Sequence, residues 1–272
     1  MERTLTRGRV ALLLTCCAAL WVAAAAPASA APVAHGQKLH LVTPRLHANA
    51  NQSNNWFGYN QGMLEQGGKL FNSISGDWTV PTATQHASGD EASSDWIGIG
   101  GGCIDAGCTV GDNTLIQTGT EQDVSSGSAS YGAWWEIIPA PSIAIDMTVQ
   151  PGDHMHADIS EVVADADLWT ITLTNVTRGQ TFTQTVPYPS THATAEWIEE
   201  TPLVIGTNAG LAALPNLTQV PFTNARTNGA PANLQAAEEI QLTDANGSVI
   251  GTPSAPNSTR DGFTACAWAT IC

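Results

Sequence analysis

The amino-acid sequence predicts an all-β protein, built as an antiparallel sandwich or barrel. Apolar residues alternate with polar ones in many short segments, turn residues separate these segments, and no segment has a convincing helical repeat. Trp169, Ile171 and Leu173, for example, alternate with threonines, which is the period of a strand with one buried face. No linker rich in Pro or Ser divides the chain, so we expect one β domain over residues 51–272.

Turn residues mark the ends of the predicted strands. Residues 143–149 alternate in polarity and end at Pro151-Gly152. Asn246-Gly247 lies between two apolar segments, which is a strong signal for a β-hairpin. Asp261-Gly262 precedes a last strand near residue 263, and the one helical turn that we expect lies near residues 211–214.

The first thirty residues have the pattern of an export signal. Arg3, Arg7 and Arg9 form a basic start, residues 10–26 are apolar, and Ala28-Ser29-Ala30 is a typical cleavage site. The apolar stretch is short for a membrane span and ends at this cleavage site. We therefore predict a signal peptide over residues 1–30 and a secreted, extracellular, monomeric protein.

Residues 31–50 differ in charge from everything that follows. They contain no acidic residue, but carry Lys38, Arg45 and three histidines. Two interpretations stay open: a disordered mature N-terminus, or a short pro-segment that docks on the acidic domain and is later removed.

The remaining chain is strongly acidic. After the signal peptide, 6 Lys and Arg face 23 Asp and Glu, a net charge of −17. This balance disfavours nucleic acid and anionic membranes as partners. Few carboxylates can be paired with a base, and acid unfolding usually follows the protonation of paired carboxylates, so we expect an acid-tolerant protein.

Four cysteines remain after the signal peptide, an even number suited to an oxidising compartment. Pairing of Cys103 with Cys108 and of Cys266 with Cys272 is the simplest of three connectivities. No Cys-x-x-Cys pair is present, which argues against zinc.

Common hydrolase signatures are missing from the sequence. It has no Gly-x-Ser-x-Gly elbow and no Asp-Thr-Gly or Asp-Ser-Gly motif. His154 and His156 share one face of a predicted strand, a spacing that can bind metal but more often marks two surface histidines. The sequence therefore predicts no metal and no cofactor.

Two glutamates, Glu136 and Glu196, lie in aromatic β segments. A carboxyl group held against apolar surface tends to have a raised pKa, which suits it to proton transfer. A glycoside hydrolase needs such a pair across a cleft, and a carbohydrate-binding module would use exposed tryptophans. A third alternative is a β-sandwich without activity that serves as an interaction protein.

Five motifs occur in an order and spacing that resemble the glutamic peptidases, also called eqolisins, peptidase family G1 or pepstatin-insensitive acid peptidases. The resemblance runs from about residue 55 to the C-terminus. The motifs are Asn55-Trp56-Phe57-Gly58-Tyr59, Ser94-Asp95-Trp96-Ile97-Gly98-Ile99-Gly100, Leu115-Ile116-Gln117-Thr118-Gly119, the segment from Tyr131 to Pro139, and Ala195-Glu196-Trp197-Ile198.

The resemblance implies a concanavalin-like or lectin-like double-sheet sandwich with a substrate cleft on one curved face. It also implies a secreted acid endopeptidase that cleaves polypeptides with a catalytic dyad, Gln117 and Glu196. The substrate-binding positions that it implies are Trp56, Trp96, Tyr131 and Glu136.

The chain departs from the family pattern at three places. Gly100 and Glu121 stand where fungal members commonly carry Asp, and the loop from Cys103 to Cys108 differs from the fungal arrangement. The two dyad positions are unaffected by these departures.

Overall fold

In the computed structural model, which describes residues 38–39, 52–105, 107–205 and 209–272, the regular elements are β-strands and one short 3-10 helix, Ala236–Glu238. The predicted signal peptide lies outside the described residues, and so does segment 31–50 except for residues 38–39. In chain order the strands are β1 (Lys38–Leu39), β2 (Gln52–Ser53), β3 (Trp56–Gly62), β4 (Ser73–Thr79), β5 (Ala83–Thr84), β6 (Glu91–Gly100), β7 (Leu115–Ser125), β8 (Ser128–Ile137), β9 (Ile143–Ile145), β10 (His154–Glu161), β11 (Leu168–Asn175), β12 (Gln180–Pro187), β13 (Thr194–Glu200), β14 (Leu203–Val204), β15 (Gly210–Leu211), β16 (Asn216–Leu217), β17 (Val220–Thr227), β18 (Ala230–Pro231), β19 (Glu239–Thr243), β20 (Val249–Pro253) and β21 (Phe263–Ala267).

Most strands follow one another along a single hydrogen-bonded path that folds into two layers. The first layer runs β12-β11-β10-β4-β17-β21-β20, and the second runs β3-β13-β6-β7-β8-β9. Strand β19 joins them, because it pairs with β20 on one side and with β3 on the other. Every pairing along this path is antiparallel, so the predicted antiparallel sandwich is confirmed.

The hydrophobic core fills the space between the two layers. Trp169, Ile171 and Leu173 are fully buried, as the alternation in their strand predicted. Two tryptophans also join the layers through their indole N–H groups. Trp78 donates to the hydroxyl of Thr120 at 2.9 Å, and Trp197 donates to a β4 carbonyl at 3.0 Å.

Three of the four turn predictions agree with the structure, at Pro151-Gly152 before β10, at Asn246-Gly247 and at Asp261-Gly262. The chain turns at Asn246-Gly247 between β19 and β20, and Asp261-Gly262 precedes β21. In the segment 143–149 only Ile143–Ile145 forms a strand. The helical turn predicted near residues 211–214 is wrong, because this segment pairs with other strands: Leu203 is opposite Leu211, and a bridge joins Glu91 to Ala213.

Both disulfides have the connectivity that was predicted as the simplest of the three. Cys103 is bonded to Cys108, and Cys266 is bonded to Cys272. The first closes a loop between β6 and β7, and the second fixes the chain that follows β21. Among the described residues, no helix has the length and apolar character needed to cross a membrane.

A pair of carboxyl groups is buried between the layers. Asp95 on β6 is directly opposite Glu199 on β13, and neither residue is exposed to solvent. Asp95 accepts hydrogen bonds from Gln122 at 2.5 Å and from Thr120 at 3.2 Å. Burial raises the pKa of Asp95 to about 6 and raises that of Glu199 well above its ordinary value, to which the charge of Asp95 also contributes.

This pair predicts a stability that falls as the pH rises. Both groups have a higher pKa in the folded than in the unfolded chain, so they favour folding at acid pH, and this contribution is lost as the pH passes about 6. We expect the melting temperature to be lower at pH 7.5 than at pH 4.5. The Glu199→Gln variant should reduce that difference by roughly 5 °C or more, because one ionisable group is removed.

Differential scanning calorimetry at the two pH values measures this difference. Asp146→Asn, at an exposed position, is the control and should leave the difference unchanged. A wild-type chain that melts at a higher temperature at pH 7.5 than at pH 4.5 would contradict the expectation.

Candidate active site

The predicted dyad lies in one register row that crosses four strands. Glu196 on β13 is opposite Gly98 on β6, Gly98 is opposite Gln117 on β7, and Gln117 is opposite Glu136 on β8. Residues that are directly opposite each other in a sheet point to the same face. We call these four residues the central row and the face on which they lie the site face. The structure therefore brings Gln117, Glu196 and Glu136 together.

Gly98 separates Glu196 from Gln117 in the central row, and we call this separation between the two residues the gap. Adjacent strands lie about 4.8 Å apart, so the backbones of Glu196 and Gln117 are separated by about 10 Å with only a glycine between them. A Cβ atom on Gly98 would lie 2.9 Å from side-chain atoms of Leu115 and Trp96, and 3.2 Å from Cβ of Gln117. Neighbouring side chains therefore occupy the position that a Cβ atom would take, and close packing requires glycine here.

Aromatic side chains surround this gap on the site face. Trp56, Trp96 and Trp134 form a buried cluster with Ile198, and the rings of Trp56 and Trp96 meet edge to face at 4.9 Å. Trp96 donates a hydrogen bond to Glu200 at 2.8 Å. Trp56 and Trp96 therefore lie on the same face as Gln117 and Glu196. Trp134 was not predicted as a site residue, although its spacing of two from Glu136 places it on the same face.

Tyr131 is not on the site face, so its predicted role in substrate binding receives no support. It lies five residues before Glu136 on the same strand, and an odd spacing in a strand places two side chains on opposite faces. Tyr131 packs against the core between the layers, and its hydroxyl accepts a hydrogen bond from the Ala83 N–H at 3.0 Å.

The Gln117 amide is oriented by Glu136. Its Nε2 donates a hydrogen bond of 2.6 Å to Oε2 of Glu136. An amide nitrogen carries two N–H groups, and this bond uses one of them. The carboxyl group therefore fixes which end of the amide is the donor, and Glu136 positions Gln117.

Glu196 lies against a loop that follows β6. A Cβ atom on Gly102 would be 2.5 Å from Oε1 of Glu196 and 1.6 Å from Oδ1 of Asn60, so only glycine fits there. Asn60 fixes the loop through two hydrogen bonds, since its Oδ1 accepts from the Cys103 N–H at 3.1 Å and its Nδ2 donates to the Cys103 carbonyl at 2.9 Å. The disulfide-closed loop is thereby fixed beside the carboxyl group.

Burial raises the pKa of Glu196 well above its ordinary value. The negative charge of Asp112 adds to this effect, while the nearby Thr194 hydroxyl and Gly102 N–H oppose it by favouring the charged form. Neither group reaches hydrogen-bond geometry, and within the described part of the chain neither Glu196 oxygen has a hydrogen-bond partner. The surroundings thus make Glu196 a strong proton acceptor whenever it is ionised.

The site face is closed to solvent in this conformation. Gln117, Glu136 and Glu196 have no exposed surface, and neither do Trp56 and Trp96. A polypeptide therefore cannot reach the central row in this conformation.

The histidine pair predicted on β10 contacts an aspartate instead of forming a metal site. His154 and His156 both lie next to Asp77, at 3.3 Å for His154. Burial would raise the pKa of Asp77, but hydrogen bonds from His156 and Asn224 outweigh it and hold this pKa below its ordinary value. In the ranges that the structure describes, no three His, Cys, Asp or Glu residues are placed to hold a metal ion.

Comparison with solved structures finds glutamic peptidases. A scytalido-glutamic peptidase with a transition state analog inhibitor has a TM-score of 0.61 and 19% identity, covering 79% of this chain and 98% of that chain. SCP-B, a member of the eqolisin family in complex with a tripeptide, has the same identity and coverage with a TM-score of 0.59. Aspergilloglutamic peptidase from Aspergillus niger has a TM-score of 0.52 and 25% identity, covering 65% of this chain and 99% of that chain.

Comparison with curated protein sequences finds no match. The model of the Peptidase A4 family, by contrast, matches residues 54–262, which include the whole central row. This match spans more than half of the chain. The chain therefore belongs to the Peptidase A4 family, the glutamic-type endopeptidases.

Proposed function

We propose that this chain is a secreted acid endopeptidase that hydrolyses peptide bonds with Gln117 and Glu196 as its catalytic dyad. The observation that supports the proposal best is the central row, in which both side chains point to one face across the gap at Gly98. A water molecule and a substrate carbonyl in this gap would contact both side chains.

Glu196 acts as the general base and then as the general acid. In its ionised form it takes a proton from the water that attacks the scissile carbonyl, and it passes this proton to the leaving nitrogen. The raised pKa suits both steps, because a carboxylate of higher pKa is the stronger base. When the site face opens, water replaces part of the apolar surroundings, so the ionised form becomes easier to reach.

Gln117 stabilises the oxyanion. Its amide group donates an N–H hydrogen bond to the substrate carbonyl oxygen as that oxygen becomes negative. A donor of this kind acts most strongly when it is already oriented before the reaction, which is the contribution of Glu136.

Secretion is part of the proposal. Two disulfides form in the described chain, and disulfides persist mainly outside reducing compartments. The export signal at residues 1–30 supports the same location. Polypeptides are the partners that we infer from the family.

The central row favours a peptidase over a glycoside hydrolase. Glu136 and Glu196 are three strand spacings apart, about 14 Å between backbones, and Glu136 is hydrogen-bonded to Gln117. A glycoside hydrolase would use Glu136 as its second catalytic carboxyl group, whereas here this group accepts the hydrogen bond that orients the Gln117 amide. The tryptophans of the site face are buried and pack on one another, whereas a carbohydrate-binding module would expose them.

Substitution of the dyad should abolish proteolysis. We expect Gln117→Ala to lower kcat/KM by about 10²–10³, the usual cost of one oxyanion donor. Glu196→Gln should lower it further, because both proton transfers use the carboxyl group. Hydrolysis of a denatured protein between pH 2 and pH 7, with pepstatin present, measures the effect. Gln184→Ala, at a partly exposed position on β12, is the control, and dyad variants with wild-type activity would refute the assignment.

A larger residue at position 98 should impair catalysis without unfolding the chain. In Gly98→Ala the added methyl group is too close to Leu115 and Trp96 and pushes on Gln117, and a displacement of about 1 Å can cost about 10²-fold in rate. We expect kcat/KM to fall by about 10–100-fold, with the far-ultraviolet circular dichroism unchanged. Gly210→Ala is the matched control, because no atom lies within 4 Å of the added Cβ. Unchanged activity in a folded Gly98→Ala variant would contradict this account of the gap.

A further inference from the structure

Asp112 is brought to the active site by the disulfide-closed loop between β6 and β7. Segments 102–104 and 110–112 of this loop pair in antiparallel fashion, and a bridge between their middle residues sets the register. We call these two segments the disulfide hairpin. The Asp112 N–H donates to the Gly102 carbonyl at 2.9 Å. Asp112 is therefore opposite Gly102 in the hairpin.

This register directs the Asp112 side chain toward Glu196. Residues that are opposite each other in paired segments point to the same side. A Cβ atom on Gly102 would be 2.5 Å from Oε1 of Glu196, so this side of the hairpin is the one that faces Glu196. The negative charge of Asp112 acts on Glu196 from this position and adds to the effect of burial.

Three hydrogen bonds fix the Asp112 carboxylate. Its Oδ1 accepts from the Thr114 N–H at 2.9 Å and from the Thr114 hydroxyl at 3.0 Å, and its Oδ2 accepts from the Thr191 hydroxyl. Thr191 lies in the segment that leads into β13, the strand of Glu196. Asp112 is only 1% exposed, and none of the ion pairs in the described part of the chain includes it. Its charge is thus held in place without a base to neutralise it.

Asp112 and Glu196 are therefore two carboxyl groups in opposite surroundings. Asp112 accepts three hydrogen bonds, whereas neither Glu196 oxygen has a hydrogen-bond partner among the described residues. Differences of this kind decide which of two neighbouring carboxyl groups stays ionised and which exchanges a proton. Here Asp112 is the fixed charge, and Glu196 is the group that exchanges the proton.

The other titratable groups that face this region have partners of their own. They are Glu121 and Asp123, which are paired with Lys38, Glu136, which accepts from Gln117, Tyr188, whose hydroxyl accepts from the Leu115 N–H at 2.7 Å, and Glu200, which accepts from Trp96. The residues of β3 and β6 that point to the site face have no ionisable side chain. The charge that acts on Glu196 is therefore that of Asp112.

We propose that Asp112 is a positioning residue of the active site, and that its fixed negative charge sets the pH range in which Glu196 works as the general base. The proposal rests on the proposed function, because it takes Glu196 as the base. A negative charge close to a carboxyl group makes the loss of its proton less favourable. Glu196 therefore keeps its proton up to a higher pH than it would beside a neutral residue, and it is a stronger base once the proton has left.

The pH dependence of hydrolysis tests this role. On the acid side the rate falls as the base becomes protonated, so this limb of the profile reports the ionisation of Glu196. Asp112→Asn removes the charge but keeps the size of the side chain and an oxygen that accepts from the Thr114 N–H. We expect the ratio of kcat/KM at pH 4.5 to kcat/KM at pH 6.5 to rise at least ~3-fold. Asp112→Ser also removes the charge and should raise the ratio in the same way.

Two further variants separate the charge from a merely structural role. Asp146→Asn removes a negative charge at an exposed position and should leave the ratio unchanged. Thr191→Val removes one hydrogen bond to Asp112 but keeps its charge, so kcat/KM should fall by the same factor at both pH values. An unchanged or lower ratio in folded Asp112→Asn and Asp112→Ser chains would overturn the proposal, and so would a Thr191→Val chain that raises the ratio as much as they do.

A titration that needs no activity separates this outcome from that of the proposed function. In the full chain with Gln117→Ala, which limits self-cleavage, the ¹³C signal of the Glu196 carboxyl group is the one that disappears when Glu196→Gln is added. We expect its titration midpoint to lie at lower pH with Asp112→Asn than with Asp112 retained, and an equal midpoint would overturn the role of Asp112. Absence of hydrolysis by the wild-type chain at every pH would refute the proposed function, and the titration would still decide whether Asp112 acts on Glu196.

Discussion

The strand register of the second layer is the constraint on which the site depends. Glu196, Gly98 and Gln117 share a face only because β13, β6 and β7 pair with these residues in line. A slip of one residue would move every side chain of a strand to the opposite face. The core prevents this slip, since Trp197 and Ile97 on the opposite faces of these strands are fully buried against the first layer. The packing of the core therefore also fixes the positions of Gln117 and Glu196 relative to each other.

Strand β13 carries carboxyl groups on both faces. The stability of the fold and the proposed catalysis therefore both depend on pH. Glu196 faces the gap, while Glu199 faces the core and lies opposite Asp95. Burial raises the pKa of Glu196 and Glu199 alike. The chain has few basic residues that could compensate a buried negative charge. Protonation of the buried carboxyl groups takes that role in the second layer. The raised pKa values of these buried carboxyl groups favour the folded chain at acid pH.

The fold could be predicted from the sequence because it leaves local patterns, and the catalytic dyad stays a prediction that rests on short motifs. Alternation revealed β11, and the short motifs around Gln117 and Glu196 carried the resemblance to the family. Tyr131 was predicted as substrate-binding together with Glu136, although their spacing of five places the two side chains on opposite faces of the strand. The contacts of Asn60 with Cys103, and of Lys38 with Glu121, join residues 43 and 83 positions apart. A local sequence pattern cannot predict such pairs, because they form only when segments that are distant in the sequence pair in the correct register.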